Sequence, residues 1–177
     1  MTSVTQALHA DPLVRAAGGF AIVSGIISAI GVVFLIAMFA LFAAPLKSLG
    51  LTFGLLNDIC VALQYLLTIP IALVLHRVLS PHNPTLLRIA TGVGITAMLI
   101  IIALQLALIF GALTFEQQVP WVSLAMLGGV GAWLVITGWV ARSTGRMPNS
   151  MLMSVLAIPY LGYPVWAFWL WRRLLSW

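Results

Sequence analysis

The sequence predicts an all-α protein, a polytopic transmembrane helical bundle with five spans, or with four spans and a broken or interfacial C-terminal segment. Of the 177 residues, 63% are hydrophobic and only 6% are charged. The mean hydropathy is +1.16. Soluble domains carry about 25% charged residues, so lipid must be the solvent for this chain. The few charges also divide it into uncharged apolar stretches long enough to cross a bilayer.

Five apolar segments meet the length that a membrane span requires. A helix needs about 20 apolar residues to cross roughly 30 Å of hydrocarbon. The fourth segment is expected to start near Pro120, because the missing N–H of a proline would be unpaired in a first helical turn anyway. The predicted spans, which form a single domain over residues 1–177, are about 17–43, 53–75, 89–114, 120–141 and 151–171.

Short polar or proline-containing links join the predicted spans, at residues 44–52, 80–85, 115–119 and 143–150. Links of this length leave consecutive helices antiparallel and packed as neighbours. The first span is expected to be an uncleaved anchor, because its apolar run exceeds the core of about 7 to 15 residues that is usual in a signal peptide.

The basic residues predict the orientation. Basic residues that flank spans are retained in the cytoplasm, and the side that carries the N-terminus holds more of them. We therefore expect a cytoplasmic N-terminus in a multi-pass protein of a cell membrane. The N-terminal side would carry Arg15, Arg77, Arg88, Arg142 and Arg146, and the opposite side Lys47, Arg172 and Arg173.

The last segment leaves two architectures open. If it crosses the membrane, Arg172 or Arg173 could neutralise Asp58 or Glu116 at the outer rim. Alternatively, the prolines Pro159 and Pro164 break the helix. The aromatic and basic residues beyond the break then resemble an interfacial amphipathic helix.

Small residues at four-residue spacing predict close helix packing, because they let backbones approach each other in lipid. One such face lies in the first span and another in the fourth. The glycine run of the fourth span is not a dinucleotide loop, since no strand precedes it. The residues predicted for helix packing are Ala21, Gly25, Ala29, Ala125, Gly128, Gly129 and Ala132.

The second span carries the most polar helix face. A charged residue inside a span is by default a functional-site hypothesis, and Asp58 makes this face a candidate ligand or ion site. The alternative is structural: Asn57 or Asp58 could cap a helix that begins at residue 58 or 59, or the face could serve in packing. Glu116 and Tyr160, which lies beside the proline break, could complete a site. The residues of the face are Asn57, Asp58, Gln64, Tyr65 and Thr68.

No cofactor and no catalytic residues are predicted. His76 could offer an imidazole to a haem or metal, but no cysteine or carboxylate stands beside it at a ligand spacing. Three acidic residues leave little for acid–base catalysis. The net charge of +5 requires no nucleic acid, because basic loops facing anionic lipids explain it. The single cysteine, Cys60, excludes an internal disulfide.

Two stretches are similar to small bacterial multispanning membrane proteins of uncharacterised function. One runs from Leu56-Asn57-Asp58 to Leu66-Leu67 and Pro70, and the other is Gly162-Tyr163-Pro164-Val165-Trp166 followed by Trp169-Leu170. The resemblance implies a bacterial inner membrane and no particular activity.

The sequence thus favours a non-catalytic membrane protein that packs against itself or serves as an accessory subunit of a membrane complex. Its expected partners are membrane lipids and other membrane subunits or further copies of itself. The alternative is a small oligomeric transporter or channel that uses the polar face of the second span.

Overall fold

The computed structural model describes residues 12–44 and 46–143, together with Ala167, Leu170 and Arg172. Each of the four helices in these ranges is long and apolar enough to cross a membrane, so the predicted all-α class is confirmed. The fifth predicted span lies outside the described residues except for Ala167 and Leu170. The helices are α1 (Pro12–Ala43), α2 (Lys47–Leu79), α3 (Pro84–Ile109) and α4 (Phe115–Ser143).

Helix α3 begins at a sequence-encoded cap. The Asn83 side chain accepts a hydrogen bond from the Leu86 backbone N–H at 3.3 Å. Pro84 follows as the first helical residue, where its missing N–H is not needed. After the helix ends, Gly111 turns the chain with a φ of 72°, a conformation that glycine adopts without strain.

Helix α4 begins earlier than the sequence indicated, because the link expected over residues 115–119 is helical. Thr114 and Gln117 form a capping box. The Gln117 N–H donates to Thr114 Oγ1 at 3.4 Å, and the Thr114 N–H donates to Gln117 Oε1 at 3.0 Å. Pro120 therefore lies inside the helix rather than at its start.

A π-helical turn, Ala125–Val130, interrupts the α-helical geometry of α4. It faces α3, and the two helices approach closely here. A Cβ atom added at Gly129 would overlap the Cβ atom of Ala97. A Cβ atom added at Gly94 of α3 would lie 2.6 Å from Cγ of Trp133. Each helix thus supplies a glycine against which the other helix packs.

Consecutive helices are antiparallel neighbours. Between α1 and α2, Gly31 contacts Cys60 and Met38 contacts Gly54. Residue numbers therefore rise along one helix as they fall along the other. Along α3 and α4, Gly94 meets Trp133 whereas Gln105 meets Gln118. The main packing pairs are α1 with α2, α2 with α3, and α3 with α4.

The core contains small residues from α1 and larger ones from the other helices, among them Tyr65 and Trp133. Ala167 and Leu170 are helical and buried in the same cluster. A second cluster at the end of the bundle where α3 begins joins Leu79, Leu87 and Val140. Large apolar side chains cover the outer faces, as expected where lipid is the solvent.

Candidate functional site

The polar face of α2 is turned into the bundle. Asn57, Gln64, Tyr65 and Thr68 are all buried, at positions that recur on one side of a helix. Helix α2 contacts α1 and α3 extensively, which places this face at the centre of the described residues. The Thr68 hydroxyl donates to the Gln64 backbone carbonyl at 2.7 Å. These side chains face protein, and lipid contact is left to the apolar residues of α2.

Neither Asn57 nor Asp58 caps a helix. Helix α2 begins at Lys47, with Leu46 at the N-cap position, so the capping alternative is wrong. Lys47 lies more than two turns before Asp58, and the helix runs through both residues without a break. Two roles then remain for Asn57 and Asp58, either in helix packing or in a ligand site.

Asn57 and Asp58 form a polar pair in the middle of apolar surroundings. The Asn57 amide nitrogen donates to a carboxylate oxygen of Asp58 at 3.5 Å. On the facing helix, a Cβ atom added at Gly31 would lie 3.7 Å from Asn57 Oδ1, so the glycine makes room for the amide. Asn57 is buried, whereas Asp58 is only partly buried.

A groove opens beside this pair. Its volume is about 430 Å³, and all four helices contribute to its wall. Asn57 and Asp58 are its polar lining residues, and the other lining side chains are apolar. It lies at the end of the bundle where α1 and α3 end and α2 and α4 begin. The lining residues are Leu35, Met38, Phe39, Phe42, Leu51, Gly54, Leu55, Asn57, Asp58, Leu108 and Phe115.

The other proposed members of the site are not assembled around Asp58. Glu116 is exposed in the first turn of α4 and does not line the groove. Tyr160 lies outside the described residues. Arg172 is exposed, and within the part of the chain that the structure describes it forms no ion pair with Asp58 or Glu116. The other arginine proposed to neutralise these acids, Arg173, also lies outside that part.

His76 contacts a threonine. Its Nδ1 atom lies 3.4 Å from the Thr91 hydroxyl of α3, so the imidazole takes part in the α2–α3 interface. Among the described residues, no group of three or more His, Cys, Asp or Glu side chains could hold a metal ion. The geometry here is that of a helix contact at the end of the bundle that carries Arg77.

A buried glutamine pair links α3 and α4, and neither of its residues is predicted from the sequence as part of a site. Gln118 Nε2 donates to Gln105 Oε1 at 2.9 Å, and both side chains are buried. A helix that starts near Pro120, as the sequence predicts, leaves Gln118 in a link. The available signal was the pattern Thr114-x-x-Gln117, a capping box that moves Gln118 into the helix.

The predicted small-residue faces are only partly inside the bundle. Ala21 and Gly25 are buried in α1, but Ala29 is exposed. The buried face instead continues through Ser24, Ser28 and Gly31, which follow the helical repeat more closely. In α4, Gly129 contacts Ala97, Ala125 and Ala132 are partly buried, and Gly128 is exposed.

Any function proposed for this chain has to be based on the geometry described above, because comparison with known proteins gives no match. No protein-family model, curated protein or solved structure matches the chain.

Proposed function

We propose that this chain is a non-catalytic membrane protein whose role is to pack, as an accessory subunit, against other membrane subunits. One observation carries the proposal: the buried polar side chains hold the helices to one another. Gln105 bonds with Gln118 between α3 and α4, and His76 lies against Thr91 between α2 and α3. Interhelical hydrogen bonds of this kind stabilise helix association in lipid.

The surface of α1 supports a partner-binding role. This helix packs chiefly along α2, and its outer side presents a row of large apolar residues. Ala29 is exposed on the same helix. A small residue within an apolar face lets a second helix approach closely. Lipids cover this face unless another subunit does.

The test is the native mass of the chain after gentle solubilisation, together with the identity of all proteins that co-purify. An accessory subunit is expected to run well above its own 19.1 kDa, with other polypeptides in fixed ratio. Substitution Ala29→Leu is expected to release them without unfolding the chain. A monomer, or a homo-oligomer without other subunits, would contradict the accessory role.

We infer that the chain lies in a bacterial inner membrane with its N-terminus in the cytoplasm. One end of the described bundle carries Arg15, Arg77, Arg88 and Arg142, whereas the other carries Lys47 and Glu116. Basic residues favour the cytoplasmic side. The last segment then crosses as a fifth span, which agrees with the burial of Ala167 and Leu170 in the core. Reporter fusions test this: a C-terminal reporter would be active outside the cytoplasm, and a cytoplasmic C-terminus would refute five spans.

A second candidate function is a small oligomeric transporter or channel. The observation that favours it is the groove beside Asp58, an acidic residue within a predicted span. Replacing Asp58 with Asn and Gln64 with Ala should abolish transport while the folded yield is maintained, and Glu116→Gln serves as the control. Loss of yield with no transport phenotype would exclude this function.

A further inference from the structure

The groove beside Asp58 combines two chemistries that seldom meet inside a membrane protein. Its wall is apolar, and three phenylalanines, Phe39, Phe42 and Phe115, contribute to it. Its polar part is the carboxylate of Asp58 with the amide of Asn57. A ligand that matches this groove needs an apolar body and one group that is complementary to a carboxylate.

The charge of Asp58 is not compensated by the described residues. No Lys, Arg or His is among the groove-lining residues, and the hydrogen bond that Asp58 accepts comes from the neutral Asn57 amide. An acidic side chain in apolar surroundings is costly unless it is paired. Phenylalanine faces also attract cations. Both features favour a positively charged ligand.

The dimensions favour a small organic molecule. A volume of about 430 Å³ lies within the range of small-molecule sites in proteins, roughly 300 to 1,000 Å³. At about 1.5 Å per helical residue, Asp58 lies about 16 Å along α2 from Lys47. The carboxylate therefore lies about three helical turns from the start of α2.

We propose that this groove binds a hydrophobic organic cation, whose charged centre pairs with the Asp58 carboxylate and whose apolar groups contact the surrounding phenylalanine and leucine side chains. The groove provides the apolar contacts, and Asp58 provides selectivity for positive charge. This binding requires no partner subunit, so it stands apart from the accessory role and is tested separately from the native mass.

The test is equilibrium binding of radiolabelled tetraphenylphosphonium to the full-length chain in detergent micelles. We expect saturable binding of one ion per chain. Tetraphenylborate, which has nearly the same shape and the opposite charge, should show no saturable binding when it is labelled and assayed in place of the phosphonium ion. Asp58→Asn should weaken binding about tenfold or more, because it removes one partner of a charge pair. Glu116→Gln should leave binding unchanged, because that acid lies outside the groove.

Leu55→Trp provides a second variant that retains the carboxylate. Leu55 lines the groove and is 42% exposed, so a larger side chain there fills the groove without entering the core. It should weaken binding as Asp58→Asn does, and it keeps the test valid if Asp58→Asn does not fold. Unchanged binding in both variants, or equally tight saturable binding of tetraphenylborate assayed alone, would overturn the proposal. A bound phospholipid would also overturn it. In that case phosphatidylethanolamine would co-purify with the chain, the phosphonium ion would not displace it, and the Asp58→Asn variant would no longer carry it.

Discussion

Helices α1 and α2 lie side by side but bury different chemistry. In the most apolar stretch of α1, 17% of the residues are buried, whereas the share in the corresponding stretch of α2 is 44%. The inward face of α1 is made of small residues, with Ala21, Ser24 and Gly25 at its centre. The inward face of α2 carries the polar residues Asn57 and Gln64 as well as larger apolar ones such as Ile71. Helix α1 thus buries mainly small residues, whereas α2 buries larger residues, several of which are polar.

This difference follows from the solvent. Lipid is as apolar as leucine, so burying large apolar side chains gives little advantage inside a membrane. The outer face of α1 therefore keeps residues such as Val33, Ile36 and Phe39 exposed. On its inner face, Ser24 donates to the Ala21 carbonyl of its own helix at 3.1 Å. Close backbone approach is what α1 contributes.

The largest expected effect comes from filling the closest helix approach. Gly129→Leu should destabilise the fold by about 3 kcal/mol or more, because the new side chain would overlap Ala97 and push α3 from α4. Unfolding in mixed detergent and dodecyl sulfate micelles, followed by circular dichroism, measures this.

Gly128→Leu is the matched control. A Cβ atom added there meets only Leu124, at 3.8 Å, so the same substitution one residue earlier should leave the unfolding free energy nearly unchanged. Equal losses in the two variants would show that both glycines act through the backbone and not through packing.

The same logic applied to α1 predicts a smaller loss. Gly31→Leu should cost about 2 kcal/mol, because a Cβ atom there lies 3.1 Å from the Cβ atom of Cys60, a position that can shift only with its helix. Gly19→Leu is the control on the same helix, since nothing lies within 4 Å of its added Cβ. If Gly31→Leu were as stable as Gly19→Leu, the small-residue face of α1 would not determine its packing on α2.

The helices and the polar face could be predicted because both depend on local composition. Long uncharged stretches must be helical in lipid, since no other backbone satisfies its own hydrogen bonds. Asn57, Gln64, Tyr65 and Thr68 share a face by spacing alone, and a polar face in lipid has to turn inward. That face is buried in the structure.

The positions that were missed depend on a second helix or on a helix start. Helix α2 has 33 residues, more than the roughly 20 that cross the hydrocarbon. Hydropathy alone therefore predicts a start for α2 that is too late, which leaves capping open as a role for Asp58. The importance of Gly94 depends on Trp133, a residue of another helix that packs against it. Contacts of that kind are set by the register between helices.

The polar interface is expected to be less sensitive than the small-residue one. Gln118→Leu should lower the unfolding free energy by about 1 kcal/mol. Each interhelical hydrogen bond in a membrane contributes little, but the variant also leaves the Gln105 amide unpaired. The double variant with Gln105→Leu should lose less than the sum of the single losses, since no amide is then left alone. A double-mutant cycle on the unfolding free energy checks this, and strict additivity would contradict coupling between the two glutamines.

The smallest effect should come from removing a hydroxyl group that donates to a carbonyl of its own helix. Thr68→Val keeps the shape of the side chain and removes the hydroxyl that donates to the Gln64 carbonyl. That carbonyl can still accept from the backbone in the helix, so we expect a loss of about 0.5 kcal/mol. The same unfolding assay applies, with Thr52→Val as the exposed counterpart, whose hydroxyl bonds to the Ser48 carbonyl at 3.3 Å. Thr68→Val could instead lower the unfolding free energy as much as Gly31→Leu does. Helix α2, like α1, would then be held chiefly by the fit of its side chains against their neighbours. The two helices would differ in composition alone.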